Sequence, residues 1–207
     1  MGTDAILSSS AARLWKLIEQ RTKVGADTAA IDQRIWDLFG EDWSIMFTDL
    51  TGFSREVGKF GIIHFLQIIF EHEKLLLPVV EAHDGILVKI EADSLLILFK
   101  KPARAVACAV AMERVCHSVN ARRPPEEQII LCVGIGFGRV LKLGDEDVYG
   151  NEVNLASKLG EDTAKGHEIL VTPATREAAG EVEGVTWEAV EVEYAGQTTC
   201  FRAAYQG

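Results

Sequence analysis

The sequence predicts an α+β fold: one mixed, largely antiparallel sheet with helices packed on one face, preceded by a helical N-terminal extension. Three observations carry this reading. Apolar runs linked as hairpins are interleaved with helical patterns instead of following strict βαβ units. The first forty residues show helical spacing alone. A chain of 207 residues with 48% apolar and 25% charged positions has the balance of a globular protein that buries a real core.

Residues 1–40 read as two helices. Ser8-Ser9-Ser10 caps the first, with Leu14, Leu17 and Ile18 on one face. Gly25-Ala26-Asp27 breaks it, and Asp27 caps a second with Ile31, Ile35 and Leu38 at helical spacing. This segment is expected to pack on the core or on a sister subunit, with a regulatory partner as the alternative. Residues 41–207 form the main domain. Trp43 to Asp49 is a strand that enters a turn at Thr51-Gly52. Gly61 to His83 is helical, with Pro78 as a kink or boundary. Ile86 to Ala92 and Ser94 to Phe99 form a hairpin with Asp93 at its tip. Ala103 to Val119 is a helix and Ile129 to Gly136 a strand, beside which Arg139 to Leu143 pairs across Gly138. A helix over Asn151 to Ala164 follows, then a strand over Glu168 to Thr172 and a short helix opened by Pro173. Val185 to Val192 and Thr198 to Ala203 close the sheet.

The formal charge of −10 opposes binding to nucleic-acid phosphate and to anionic membrane. Cys108, Cys116, Cys132 and Cys200 form no CxxC pair, so they read as small hydrophobes in a reducing compartment. No apolar run approaches a membrane span and the N-terminus lacks the order of a signal peptide, so the expected location is cytoplasmic. The five histidines, His64, His72, His83, His117 and His167, are scattered and receive no role. Gly134-Ile-Gly-Phe-Gly138 lies within a strand, which indicates close backbone packing and not a phosphate loop.

Asp49 and Asp93 both stand where a strand meets a turn. Taken singly, each is explained by capping or turn chemistry. Side by side at neighbouring strand ends they would repel, unless a cation such as Mg²⁺ neutralises them together with substrate phosphates.

Phe47-Thr-Asp49-Leu-Thr-Gly-Phe53 resembles the metal-binding signature Phe-x-Asp-Ile/Leu-x-Gly-Phe of class III adenylyl and guanylyl cyclases. Lys89-Ile-Glu-Ala-Asp93 resembles that family's Lys-x-x-Gly-Asp hairpin. Asp147-Val-Tyr-Gly150 with Val153-Asn-Leu-Ala-Ser157 resembles its Asp-x-Trp-Gly followed by Val-Asn-x-Ala-Ser-Arg. The resemblance extends over residues 43–205. It implies a ferredoxin-like, palm-like domain that forms a head-to-tail homodimer with two composite sites. It further implies that Asp49, Asp93 and the Leu50 carbonyl hold two Mg²⁺ ions, for which Mn²⁺ substitutes. The opposite subunit supplies Asn154 for the ribose and a cation at position 158 for the transition state. The product is a cyclic nucleotide with pyrophosphate.

Lys89 donates only and ionised Asp147 accepts only, a pair that matches the N1 acceptor and N6 donor of adenine and mismatches guanine. ATP is therefore the expected substrate. Asn154 and Lys158 are four apart and share a helix face.

The chain departs from the family at several positions. Lys158 stands where an arginine is usual, keeping the charge and losing the planar fork. Ala92 replaces a glycine and Tyr149 a tryptophan. The family's late triphosphate lysine has no match within Glu193 to Cys200, leaving Arg139 or Lys142 as stand-in charges. Two readings follow: an adenylyl cyclase, or a degenerate cyclase homology domain kept as a nucleotide-binding or dimerisation module. A third, another two-metal nucleotidyl transferase, fits the Asp147 and Val153-Asn154 motifs less well.

Overall fold

The computed structural model describes residues 9–51 and 60–206. Among these, eight strands form one sheet: β1 (Gly40–Leu50), β2 (Ile86–Glu91), β3 (Ser94–Phe99), β4 (Leu131–Leu143), β5 (Asp147–Tyr149), β6 (Glu168–Val171), β7 (Val185–Tyr194) and β8 (Gln197–Tyr205). The spatial order is β2-β3-β1-β4-β6-β8-β7, with β5 paired to β4. Among the described pairs only β4–β6 is parallel. Two long helices, α3 (Ile62–Ala82) and α4 (Pro102–Asn120), link the first four strands into a βαββαβ unit. Its order, β4-β1-β3-β2, is that of the ferredoxin-like fold.

The N-terminal helices are α1 (Ser10–Arg21) and α2 (Thr28–Phe39). The Ser9 hydroxyl accepts from the Ala12 N–H at 3.1 Å and the Asp27 carboxylate from the Ala30 N–H at 3.0 Å, which satisfies a donor at each helix start. Leu14, Leu17, Ile35 and Phe39 pack together against Leu143 at the far end of β4. The buried residue at the end of α2 is Phe39, and Leu38, expected inside, faces out. Arg21 and Asp32 join the two helices through a paired contact of 2.6 and 3.1 Å. From β4 the Arg139 guanidinium donates to the Trp36 carbonyl at 3.3 Å, tying α2 to the sheet. Asp42 lies opposite Arg139 in the register, seven residues along β1 from Asp49, or about 23 Å. Lys142 binds the Gly144 carbonyl and Asp145. Neither cation thus stands in for the missing lysine beside this chain's own Asp49.

Helices cover both faces of the sheet, not one. On one side α3, α4 and α6 (Pro173–Ala179) bury Met46, Leu95, Ile97, Val133 and Ile135. On the other, α5 (Asn151–Ser157) buries Ile45, Leu98, Val140 and Ala156. Glycines at alternate positions of β4 admit this second helix. A Cβ at Gly134 would collide with the Ala156 carbonyl and the Gly160 backbone, and one at Gly136 with Glu152. The same glycines explain a second difference. Gly138 does not turn the chain; β4 runs unbroken, paired with β1 from Leu141 opposite Gly40 to Leu131 opposite Leu50. Two further differences concern helices. Pro78 marks no boundary, since α3 continues to Ala82. The expected helix over 151–164 is α-helical only to Ser157, and Lys158–Thr163 widens into a π-helical segment. The Gly52-Phe53 half of the first motif lies outside the described residues.

At the β2–β3 turn Ala92 has φ 54°. A side chain there is strained in the left-handed region, by about 1 kcal/mol. Ala92→Gly is expected to raise the melting temperature by roughly 2–4 °C for a chain of this size. An unchanged or lower melting temperature in calorimetry would show that Ala92 carries no strain.

Candidate active site

Antiparallel pairing of β1 with β3, Thr48 opposite Leu95, sets Asp49, the second-last residue of β1, beside the start of β3 at the β2–β3 turn. The Ser94 hydroxyl donates to Asp49 Oδ1 at 3.3 Å. Asp93 is 7% exposed, and its Oδ2 has no hydrogen-bond partner. Burial, and then the facing Asp93 charge, push the Asp49 carboxyl up to about 6. Burial likewise raises Asp93, against the hydrogen bonds from its own and the Leu50 backbone and from Asp49. Two strained carboxyls with an orphaned buried oxygen are the donor set a divalent cation would satisfy. Leu50 is buried next to them. Glu161, from the π-helical segment, adds a third negative charge that acts on both.

Glu161 also lines a pocket of about 450 Å³, open to solvent, with Phe47, Lys89, Ser94, Asp147 and Val153. Within it Lys89 Nζ donates to Asp147 Oδ2 at 2.8 Å, and the Tyr149 hydroxyl donates to the same oxygen at 2.9 Å. Asp147 Oδ1 accepts from the Val148 N–H at 2.9 Å. Burial alone would raise Asp147, but the Lys89 ammonium and these two donors outweigh it and hold the carboxyl below its usual range. Asp147 in turn, through its hydrogen bond, raises Lys89. Both members are charged at neutral pH.

The structure therefore brings together Asp49 with Asp93, and Lys89 with Asp147, from β1, the β2–β3 hairpin and β5. It places Asn154 and Lys158 on the exposed side of α5 and its π-helical continuation, outside the pocket that Val153 and Glu161 line. Lys158 pairs with Asp162 one turn on, and this partner raises its pKa. In the β7–β8 hairpin Tyr194 is buried and its hydroxyl donates to the Thr199 carbonyl at 3.0 Å. Sequence reasoning missed Glu161. Its only signal was a position three beyond Lys158, and the widened turn that aims it is not visible in residue spacing.

The sequence pattern of the adenylate and guanylate cyclase catalytic domain matches residues 40–202, from the start of β1 into β8. A serine/threonine-protein kinase, pkn2 of Myxococcus xanthus, is 29% identical over 143 residues, covering 69% of this chain and 17% of that protein. The chain thus spans about a sixth of that relative's length. Among solved structures, the guanylyl cyclase Cya2 superposes with TM-score 0.68 at 24% identity, covering 81% of this chain and 94% of that one. The adenylyl cyclase CyaB from P. aeruginosa superposes with TM-score 0.69 at 18% identity, covering 81% and 96%. At these identities the two structures speak for the fold, and the match along residues 40–202 speaks for descent. The chain belongs to the class III adenylyl and guanylyl cyclase catalytic domain family.

Proposed function

We propose that the chain is an adenylyl cyclase domain that converts ATP to 3′,5′-cyclic AMP and pyrophosphate at sites completed by a second copy of itself. The observation that carries this reading is the Lys89–Asp147 pair at 2.8 Å inside the pocket. Lys89 uses one of its three donors on Asp147, leaving others for the adenine N1. Asp147 receives two donors on Oδ2 and one on Oδ1, which leaves an acceptor site for the N6 amino group. Guanine would present an N–H to the ammonium's neighbourhood at N1 and a carbonyl to the carboxylate at position 6, and both contacts would be mismatched.

Asp49, Asp93 and the Leu50 carbonyl are the groups that would hold two Mg²⁺ ions. When bound, the metal supplies a lowered pKa for the ribose 3′-hydroxyl and neutralises the triphosphate. The 3′-hydroxyl would give up its proton to water, its oxygen would bond to the α-phosphorus as the α-phosphorus–bridging-oxygen bond breaks, and pyrophosphate would depart. Asn154 would position the ribose and Lys158 would stabilise phosphate charge. Both are exposed and neither lines its own chain's pocket, which supports a head-to-tail homodimer in which they serve the site of a partner. Exposed apolar side chains on α3, Ile63, Leu66 and Phe70, give such a dimer a surface to bury.

The rival reading, a weak or silent module, is favoured by one feature: Lys158 is engaged by Asp162 and lacks an arginine's fork. Product analysis with ATP or GTP and Mg²⁺ or Mn²⁺ separates the two. Cyclic AMP is expected from the chain and not from Asp49→Ala. Lys158→Arg is expected to raise turnover about 10- to 100-fold, a fraction of the 10³–10⁵ that charge-clamping arginines contribute. A dimer that binds ATP yet stays silent with Arg at 158 would establish the module.

Shared sites make a separate prediction. A chain carrying Asp49→Ala and Asp93→Ala, mixed with one carrying Asn154→Ala and Lys158→Ala, restores one intact site per heterodimer. No recovery after confirmed subunit exchange would refute composite sites.

The acidic pair also sets a pH dependence. Asp49 titrates at about 6 in the fold against an ordinary 3.8. The folded chain thus binds the proton more tightly, and this contribution to stability is present below pH 4 and lost as pH rises through about 6. In chelator-treated protein the melting temperature is expected to fall over that window through Asp49, and to fall less in Asp49→Asn. Mg²⁺ at pH 8 is expected to raise it in the parent and not in Asp49→Asn. An equal Mg²⁺ response in both proteins would place the metal elsewhere.

A further inference from the structure

Glu113 and His117 lie one turn apart on α4, and His167 comes from the turn that precedes β6. One ligand atom from each can be chosen so that all lie within 4.8 Å of one another. The Glu113 side chain is fully buried. Its Oε2 sits 2.8 Å from His167 Nδ1, whereas Oε1 has no hydrogen-bond partner. The Tyr205 hydroxyl donates to the His167 carbonyl at 3.4 Å and lies close enough to Glu113 to act on its carboxyl as well, opposing the rise that burial causes. A carboxyl with one oxygen dry and unpartnered is costly unless a cation shares it.

The two histidines are arranged around this carboxyl. Their rings stack with centroids 4.5 Å apart and planes 22° from parallel. His167 has φ 67°, a conformation that a non-glycine residue adopts at a cost, and its N–H is fixed on the Leu131 carbonyl at 2.6 Å. Both rings line a solvent-open pocket with Ile169 and Tyr205, so an ion has a way in. The neighbouring Arg202 is already neutralised by Glu168 and Glu188, at 2.6 and 3.0 Å.

We propose that Glu113, His117 and His167 form a second metal site, one that takes a zinc-like transition ion. Two imidazoles and one carboxylate are the ligand set of three-ligand zinc sites, with an open position for water, and nitrogen donors disfavour Mg²⁺. Bonds of about 2.0–2.2 Å would draw the ligand atoms together by roughly 1 Å, within reach of a change in ring rotamers. The site is separate from the acidic pair. In β1 the side chains of Ile45, Phe47 and Asp49 alternate toward the face that α5 covers, whereas α4 covers the opposite face. Glu168 is two strands from Asp49 in register, through Cys132, about 10 Å away. Ion binding would clamp the C-terminal half of α4 to the start of β6.

The test uses the full chain carrying Asp49→Ala and Asp93→Ala, stripped of metal and titrated with Zn²⁺, with no activity readout. One bound Zn²⁺ per chain and a raised melting temperature are expected, and both are lost in His117→Ala and in His167→Ala. Should those variants fold poorly, ¹⁵N-histidine spectra of the same chain decide: Zn²⁺ is expected to shift the His117 and His167 imidazole signals and leave His64 and His83 in place. Zn²⁺ bound only when Asp49 and Asp93 are intact, or signals that shift at other histidines, would overturn the proposal, as would no Zn²⁺ retained at all.

Discussion

The juxtaposition of two carboxyls, the half-buried Asp49 and the buried Asp93, is the constraint on which the site depends. It follows from strand geometry. Once β1 pairs with β3, residue 49 must meet the tip of the β2–β3 hairpin, and the turn at Ala92 delivers Asp93 there even though a side chain at φ 54° is unfavourable. A protein selected for stability alone would place a neutral residue at one of these positions, because burial and mutual repulsion both oppose ionisation. A divalent cation reverses the sign of that interaction. The β1–β4 pairing, unbroken from Gly40 to Leu50, holds Asp49 in register, and under the proposed metal role the cost of the acidic pair in the metal-free chain would return as metal affinity.

The Lys89–Asp147 pair has a different logic. Lys89 and Asp147 neutralise one another before any nucleotide arrives, and Tyr149 completes the contact. A pair held at 2.8 Å in a half-exposed pocket is preorganised, so little side-chain entropy remains to be lost on binding. The partners stay charged, and their remaining donor and acceptor capacity points to one base pattern. Specificity here would come from capacity left over after an internal ion pair, and a substitution at Tyr149 would act through Asp147 and not through the base.

Seven of the eight described strands were legible as apolar or alternating runs closed by turn residues. The exception is β5, because Asp147–Tyr149 is too short to carry a pattern and is a strand only through its pairing with β4. The paired motifs placed Asp49 with Asp93 and Lys89 with Asp147. What could not be read depended on contacts between distant segments. Gly138 looked like a turn because glycine's freedom has two uses, and only the helix lying on β4 shows that close approach is the one in force. The same helix is why one face was expected to be bare. Leu38 and Phe39 differ by a single step on α2, and spacing cannot choose between neighbours when both are apolar. Glu161 needed the π-helical widening to reach the pocket. Glu113, His117 and His167 form a cluster that residue spacing hides, because α4 and the turn before β6 are some fifty residues apart in the chain and meet only through β4.

The departure at Lys158 is sharper in three dimensions than in the sequence. An ammonium is a compact point charge: its three donors can be shared between Asp162 and a phosphate, but without a planar fork neither contact sets the direction of the other. A guanidinium at the same position could keep one edge on Asp162 and offer the other to a phosphate oxygen, so the acidic neighbour would orient the clamp instead of competing with it. The π-helical segment sets Asp162 beside the cation while Glu161 faces the pocket. Under the proposed function, an intact acidic pair and an intact Lys89–Asp147 pair beside a lysine at 158 would give a domain whose nucleotide binding is kept while its turnover is reduced.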